Sequence, residues 1–179
     1  MGGAKVAGIL FGLAVSVALL LTGCGGGDGA QPAATEPPPE ETPAEPAGEF
    51  AIVAGDPGDF DFDLPASVPA GEYEFSLRNE SEQPHHAQIL RLEDEVSFEE
   101  FEDALLSDAG AGTAAPQAAR EMVAGPPTGV IGTTSPGEEG TGRGELESGV
   151  HAVVCFIADI RGTGRRHYAL GMLAELEVT

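Results

Sequence analysis

Residues 73–86 read Tyr73-Glu-Phe-Ser-Leu-Arg-Asn-Glu-Ser-Glu-Gln-Pro-His-His86. In the first half Tyr73, Phe75 and Leu77 alternate with Glu74 and Ser76, a period of two that puts the large apolar side chains on one face of an extended strand. Pro69-Ala-Gly71 supplies the turn into it, and Pro84 follows its end. Outward from this stretch the same rhythm recurs. Phe50-Ala-Ile-Val-Ala54 and Phe60-Asp-Phe-Asp-Leu64 precede it; Ala87–Leu92, Val150–Ile157 and Tyr168–Val178 follow. Short alternating or apolar runs broken by Gly and Pro predict an all-β chain folded as an antiparallel β-sandwich.

Two segments depart from that rhythm. Ser97-Phe-Glu-Glu-Phe-Glu-Asp-Ala-Leu-Leu106 opens with Ser97 and Glu100 in capping-box spacing and repeats Phe98, Phe101 and Leu105 on one helical face, which predicts a short amphipathic helix. From Ser107 to about Arg143 the chain is Gly, Ala, Pro and Thr, with one helical turn expected around Gln117 to Val123. This reads as a long loop insertion, a length that compact domains seldom carry without a functional reason.

At the N-terminus, Met1-Gly-Gly-Ala-Lys5 and then Val6 to Leu21, without a charge, form the positive and apolar regions of a signal peptide. The ending Leu21-Thr22-Gly23-Cys24 resembles the bacterial lipobox. That resemblance implies cleavage after Gly23 and a fatty-acylated Cys24, palmitate included, so that the mature protein is a lipoprotein held to membrane lipid on the extracytoplasmic face. Each buried CH₂ contributes about 0.8 kcal/mol, so two or three chains give lasting attachment. Residues 24–48 are Gly, Pro, Ala, Thr and Glu with almost no large apolar side chain, a composition that cannot offset its chain entropy and reads as a disordered tether. The expected organisation is therefore signal peptide 1–23, lipidated linker 24–48 and one domain, 49–179.

The net charge of −22 argues against nucleic acid and anionic lipid surfaces as partners. With Cys24 acylated, Cys155 has no partner for a disulfide within the chain, so it is either buried and inert or occupied by a metal. No Ser-His-Asp arrangement, phosphate loop or paired carboxylates stand in motif spacing, so nothing in the sequence supports an enzyme.

The remaining chemistry lies in Cys155, His167 after eleven intervening residues, and Met172 after four more, together with Asn79…Pro84-His85-His86 at the end of the strand first quoted. In this order the residues resemble the cupredoxins, the plastocyanin and azurin superfamily of blue copper proteins. The resemblance implies a Greek-key β-sandwich holding type 1 copper through His85, Cys155, His167 and Met172, with His86 as the alternative first ligand. Plastocyanin-like sequences carry Pro-His-Asn here, which favours His85; strand phase favours His86, which would share a face with Leu90 and Leu92. Such a ligand set suits both copper oxidation states with little rearrangement. The implied function is single-electron transfer between extracytoplasmic redox proteins, by a monomer. Two alternatives remain: a copper storage or delivery module, and a metal-free binding domain of the same fold. The sequence departs from the family in its eleven-residue ligand loop, Phe156 to Arg166, where two to nine residues are usual, and in Arg166 before the histidine. Three of the seven arginines, Arg161, Arg165 and Arg166, lie in that loop. The fourth histidine, His151, reads as a core or corner residue.

Overall fold

The computed structural model describes residues 48–55, 60–107 and 115–179. The expected signal segment 1–23, the lipidation site Cys24 and the tether up to residue 47 lie outside the described residues. Among the described residues no helix is long and apolar enough to cross a membrane.

Among the described residues nine strands form two sheets. The first has the order β2 (Phe62–Asp63), β1 (Gly48–Ala54), β4 (Gly71–Asn79), β7 (Glu139–Leu146); the second has β3 (Ser67–Val68), β9 (Leu173–Val178), β8 (Gly149–Val154), β5 (His85–Arg91), β6 (Gly129–Thr134). The expected sandwich is thus present. Its pairing is mixed: β1 runs parallel to β4 and β3 parallel to β9, and the other ladders are antiparallel.

Alternation explains the interior. Phe50 and Ile52 of β1, and Tyr73, Phe75 and Leu77 of β4, meet Ala87 and Ile89 of β5, Val153 of β8 and Leu176 of β9 in one buried cluster that also contains Cys155 and Met172. The opposite face of the second sheet is covered as well. Leu90, Leu92, Ala152 and Val154 pack there against Phe101 and Leu105 of α1 (Phe98–Leu106) and Ala119 of α2 (Gln117–Glu121). The strands β5 and β8 are therefore covered on both faces, which is why their sequences do not show a clean alternation. Helix α1 begins where the sequence predicts, with the Glu100 N–H donating to Ser97 Oγ at 3.3 Å and the Ser97 N–H donating to Glu100 Oε2 at 3.0 Å.

The long insertion is where the sequence reading fails. Beyond α2, the segment expected to be loop up to about Arg143 contains β6 and the first half of β7, the edge strands of the two sheets. Its signal was a period of two written in glycine: Gly140, Gly142 and Gly144 alternate along β7. A side chain at Gly142 would run into the carbonyl of Val130, and one at Gly144 into that of Thr128. Glycine lets the two sheet edges approach backbone to backbone, so this strand pattern lacks the apolar residues by which strands are recognised.

Candidate metal centre

The first component is the turn between β4 and β5. Asn79 ends β4 fully buried, and its amide Nδ2 donates to the carbonyls of Gln83, at 2.7 Å, and Thr134, at 2.9 Å. Its Oδ1 accepts from the Ser81 N–H at 3.0 Å and lies 2.8 Å from the Ser81 hydroxyl. This knot fixes the residues just before His85, the first of β5. The second component is the end of β8, where Cys155 is the residue after Val154. Its N–H donates to the Met172 carbonyl at 3.1 Å, its own carbonyl accepts from the Tyr168 N–H at 3.0 Å, and the Met172 N–H donates to the His167 carbonyl at 3.0 Å. Cys155, the 3₁₀ turn His167–Leu170 and Met172 are thus tied backbone to backbone.

The eleven-residue loop between Cys155 and His167 closes on itself. Ala158 bridges Arg166, the Asp159 N–H donates to the Arg165 carbonyl at 2.8 Å, and the His167 N–H donates to the Ile157 carbonyl at 2.8 Å. At the tip, the Asp159 carboxylate accepts from the Thr163 hydroxyl at 2.6 Å, the Arg161 N–H at 2.8 Å and the Thr163 N–H at 2.9 Å. These bonds, the Thr163 hydroxyl foremost, hold the Asp159 carboxyl far below the usual carboxylate range. Gln83 Oε1 accepts from the Ile160 N–H at 2.9 Å, and Arg161 pairs with Glu82, so the hairpin is also fastened to the β4–β5 turn. The entropy of a long loop is thereby offset by local hydrogen bonds.

These two components bring three donor atoms together. His85 Nδ1 lies 3.9 Å from Cys155 Sγ, His167 Nδ1 lies 3.5 Å from the same sulfur, and the two Nδ1 atoms are 3.0 Å apart. The three side chains are at most 1% exposed, and Met172 is fully buried in the same core. The Phe60 ring covers the histidines, its centroid 4.9 Å from that of His167 and 6.4 Å from that of His85. A side chain at Gly171 would strike the Phe60 carbonyl, so glycine there, at φ 126°, permits this approach.

Burial sets the protonation of the cluster. It pulls His85 and His167 down from 6.5 to about 4; for His85 the neighbouring His167 and His86 add to the effect, and for His167 Asp159 opposes it. Burial also pushes the Cys155 thiol up. At neutral pH the metal-free cluster is two neutral imidazoles and a thiol.

His86 and His151 lie elsewhere. His86 points to the other face of β5, where its Nε2 accepts from the Phe156 N–H at 2.8 Å and so steadies the residue next to Cys155. His151 is buried, with Nδ1 3.2 Å from the Gly149 carbonyl and Nε2 without a partner among the described residues. Sequence reasoning missed Ser81, whose Oγ lies 2.6 Å from His85 Nε2, as well as Phe60 and Asp159. The Asn79-x-Ser81 spacing, a common side-chain turn pattern, was the available signal for the first.

His85, Cys155 and His167 form a cluster able to hold a metal ion. Donors bonded to one ion at about 2.0–2.3 Å lie roughly 3–4 Å from one another, and the observed spacings fall in that range. A thiolate with two imidazoles, and a buried thioether in the same core, is the donor chemistry of a type 1 copper site.

No protein-family model matches the sequence, and no curated protein does. Similar solved structures include auracyanin A, a "blue" copper protein of the green thermophilic photosynthetic bacterium Chloroflexus aurantiacus, at 18% identity over 73% of this chain and 98% of that one, with a TM-score of 0.44. Reduced auracyanin of Roseiflexus castenholzii matches at 22% identity over 74% and 95% of the two chains, with a TM-score of 0.45. Rusticyanin of Thiobacillus ferrooxidans matches at 17% identity over 73% and 76%, with a TM-score of 0.43.

Proposed function

We propose that the chain is a single-electron carrier that holds copper through His85, Cys155 and His167, with Met172 as a weak fourth ligand. The observation that carries this reading is the convergence of two imidazole Nδ1 atoms and one thiol, within 4.8 Å of one another, in a core that also contains Met172. Bound there, copper would supply a Cu(I)/Cu(II) couple. The protein's part is to keep the donors in place. The Asn79 knot holds His85, the ladder to Met172 holds Cys155, and the closed hairpin delivers His167. Phe60 excludes water, and a dry, rigid cluster changes little on gain or loss of an electron.

The same reading takes the protein to be a lipoprotein anchored through Cys24 on the extracytoplasmic face, exchanging electrons with redox proteins there. Leu21-Thr22-Gly23-Cys24 after an uncharged apolar run supports the anchor. The test is titration of the full chain with Cu(II), followed by its visible spectrum. An intense blue band at one equivalent is expected. Tight but colourless Cu(I) binding would favour storage or delivery, and no binding would leave a metal-free domain. For the anchor, Cys24→Ala should abolish fatty-acid labelling and release the protein from membranes.

A further inference from the structure

We propose that the pocket between the two helices and the outer face of the second sheet binds a fatty-acid-like amphiphile, its hydrocarbon chain lying on Leu90, Phe101 and Leu105 and its carboxylate on Arg120. Copper is not required for this, because the pocket lies on the face of the sheet opposite Cys155 and Met172.

The pocket arises because the two helices bring unequal side chains to the sheet. Helix α1 sets Phe101 and Leu105 against Leu90, and all three are buried. Helix α2 buries only Ala119, and Ala115 ahead of it is equally small. The segment after α2 is fastened to the end of β5 by the bridge of Leu92 with Val123 and by the Glu93 N–H, which donates to the Met122 carbonyl at 2.9 Å. It is therefore not free to move in and fill the gap. What remains is a cavity of about 480 Å³, inside the range of roughly 300–1,000 Å³ typical of small-ligand sites. Half-buried Val123 and Phe156 complete its apolar wall, and Arg120, Gly125 and Pro127 stand exposed at the mouth. Water against such a wall finds few hydrogen-bond partners, so a hydrocarbon chain displaces it favourably.

Charge assigns the head group. The chain has 30 Asp and Glu against 8 Lys and Arg, yet among the described residues the pocket lining contains no carboxylate. Its only polar side chains there are Gln88 and Arg120. Four of the other six arginines are ion-paired: Arg78 with Glu80, Arg91 with Asp94, Arg143 with Glu74 and Arg161 with Glu82. Arg120 has no carboxylate partner among the described residues, and its neighbour Glu121 accepts instead from Gln117 Nε2 at 2.7 Å. A guanidinium without a counter-charge at the mouth of an apolar pocket matches a single anionic group on an apolar body. Its planar fork takes a carboxylate through two parallel N–H···O bonds.

The test is calorimetric titration of the full chain, purified without detergent and at physiological salt, with decanoate and with decan-1-ol. Decanoate should bind at one equivalent. In methyl ¹H–¹³C spectra its addition should shift Leu90, Leu105 and Val123. Arg120→Gln, an exposed substitution that leaves the fold intact, should weaken decanoate about fivefold and leave decan-1-ol unchanged. A wild-type protein that does not bind decanoate overturns the proposal, as do shifts confined to other methyl groups. Equal affinity of the wild type and Arg120→Gln for decanoate overturns the assignment of the carboxylate to Arg120. Each of these measurements is made without copper, so none of them bears on the metal reading.

Discussion

The Nδ1 atoms of His85 and His167 lie 3.0 Å apart although 82 positions separate the residues in the chain. Two imidazolium ions would repel at that distance, so the fold stores a pair of rings that must stay neutral. Burial of both rings, the largest cause of their lowered affinity for protons, shapes how the metal-free protein responds to acid.

Each ring protonates near pH 6.5 in the unfolded chain but only near pH 4 in the fold. Between those values the unfolded state binds more protons, so stability falls as the pH drops from about 6.5 towards 4. The contribution is complete above pH 6.5 and amounts to at most about 3 kcal/mol for each ring. Urea unfolding of the metal-free protein across this window checks it. In the His85→Gln variant, which removes one of the two rings, the slope should be shallower. A flat profile in the wild type would show that the pair is not held neutral.

Cys155→Ser should abolish the blue band, because the absorption is a sulfur-to-copper transition that oxygen cannot reproduce. Met172→Leu should keep the band and raise the potential, since a weak axial thioether is lost. Visible spectra and voltammetry of the two variants test the assignments, and a colour that survives loss of Cys155 would refute the first.

Gly144→Ala places a methyl against the Thr128 carbonyl, where neither backbone can give way. A loss of about 1–3 kcal/mol or more is expected from this overpacking at the sheet edges. Gly132 on β6 has open space around it, so Gly132→Ala should change stability by less than about 0.5 kcal/mol. Denaturant midpoints of the two variants give the comparison.

The three loop arginines should behave differently. Arg161 pairs with Glu82, and Arg166 Nη1 donates to the Phe156 carbonyl at 2.6 Å, whereas Arg165 is exposed. Arg165→Ala should leave stability unchanged and reduce the ionic-strength dependence of electron exchange with an anionic probe such as hexacyanoferrate, since exposed charges are screened over about 8 Å at physiological salt. Arg166→Ala should instead destabilise the hairpin by about 1 kcal/mol. Stopped-flow rates against salt, with melting curves, separate the two.

Asp159→Ala removes the acceptor of the Arg161 and Thr163 amides. Faster hydrogen exchange at these two amides is the expected outcome, with Asp159→Asn intermediate. Unchanged exchange would mean that the Ala158–Arg166 bridge alone closes the loop.

What the sequence determined by itself was what short-range patterns encode. The alternation of Tyr73, Phe75 and Leu77 gave a strand, Ser97 with Glu100 gave the start of α1, and Cys155, His167 and Met172 lie close enough in the chain for one loop to bring them together. Only the tertiary structure shows that His85, and not His86, comes together with Cys155 and His167. Strand phase grouped His86 with Leu90 and Leu92, and that face is indeed buried, but under α1 and α2; the interior of the sandwich is lined by Ala87 and Ile89, with His85 beside them. A central strand covered on both sides does not reveal from its pattern which face is inside. Likewise the glycines of β7 mark a close approach of two backbones that only the packed sheets reveal. The 3.0 Å between His85 and His167 depends on two sheets meeting, a long-range distance that no local spacing contains.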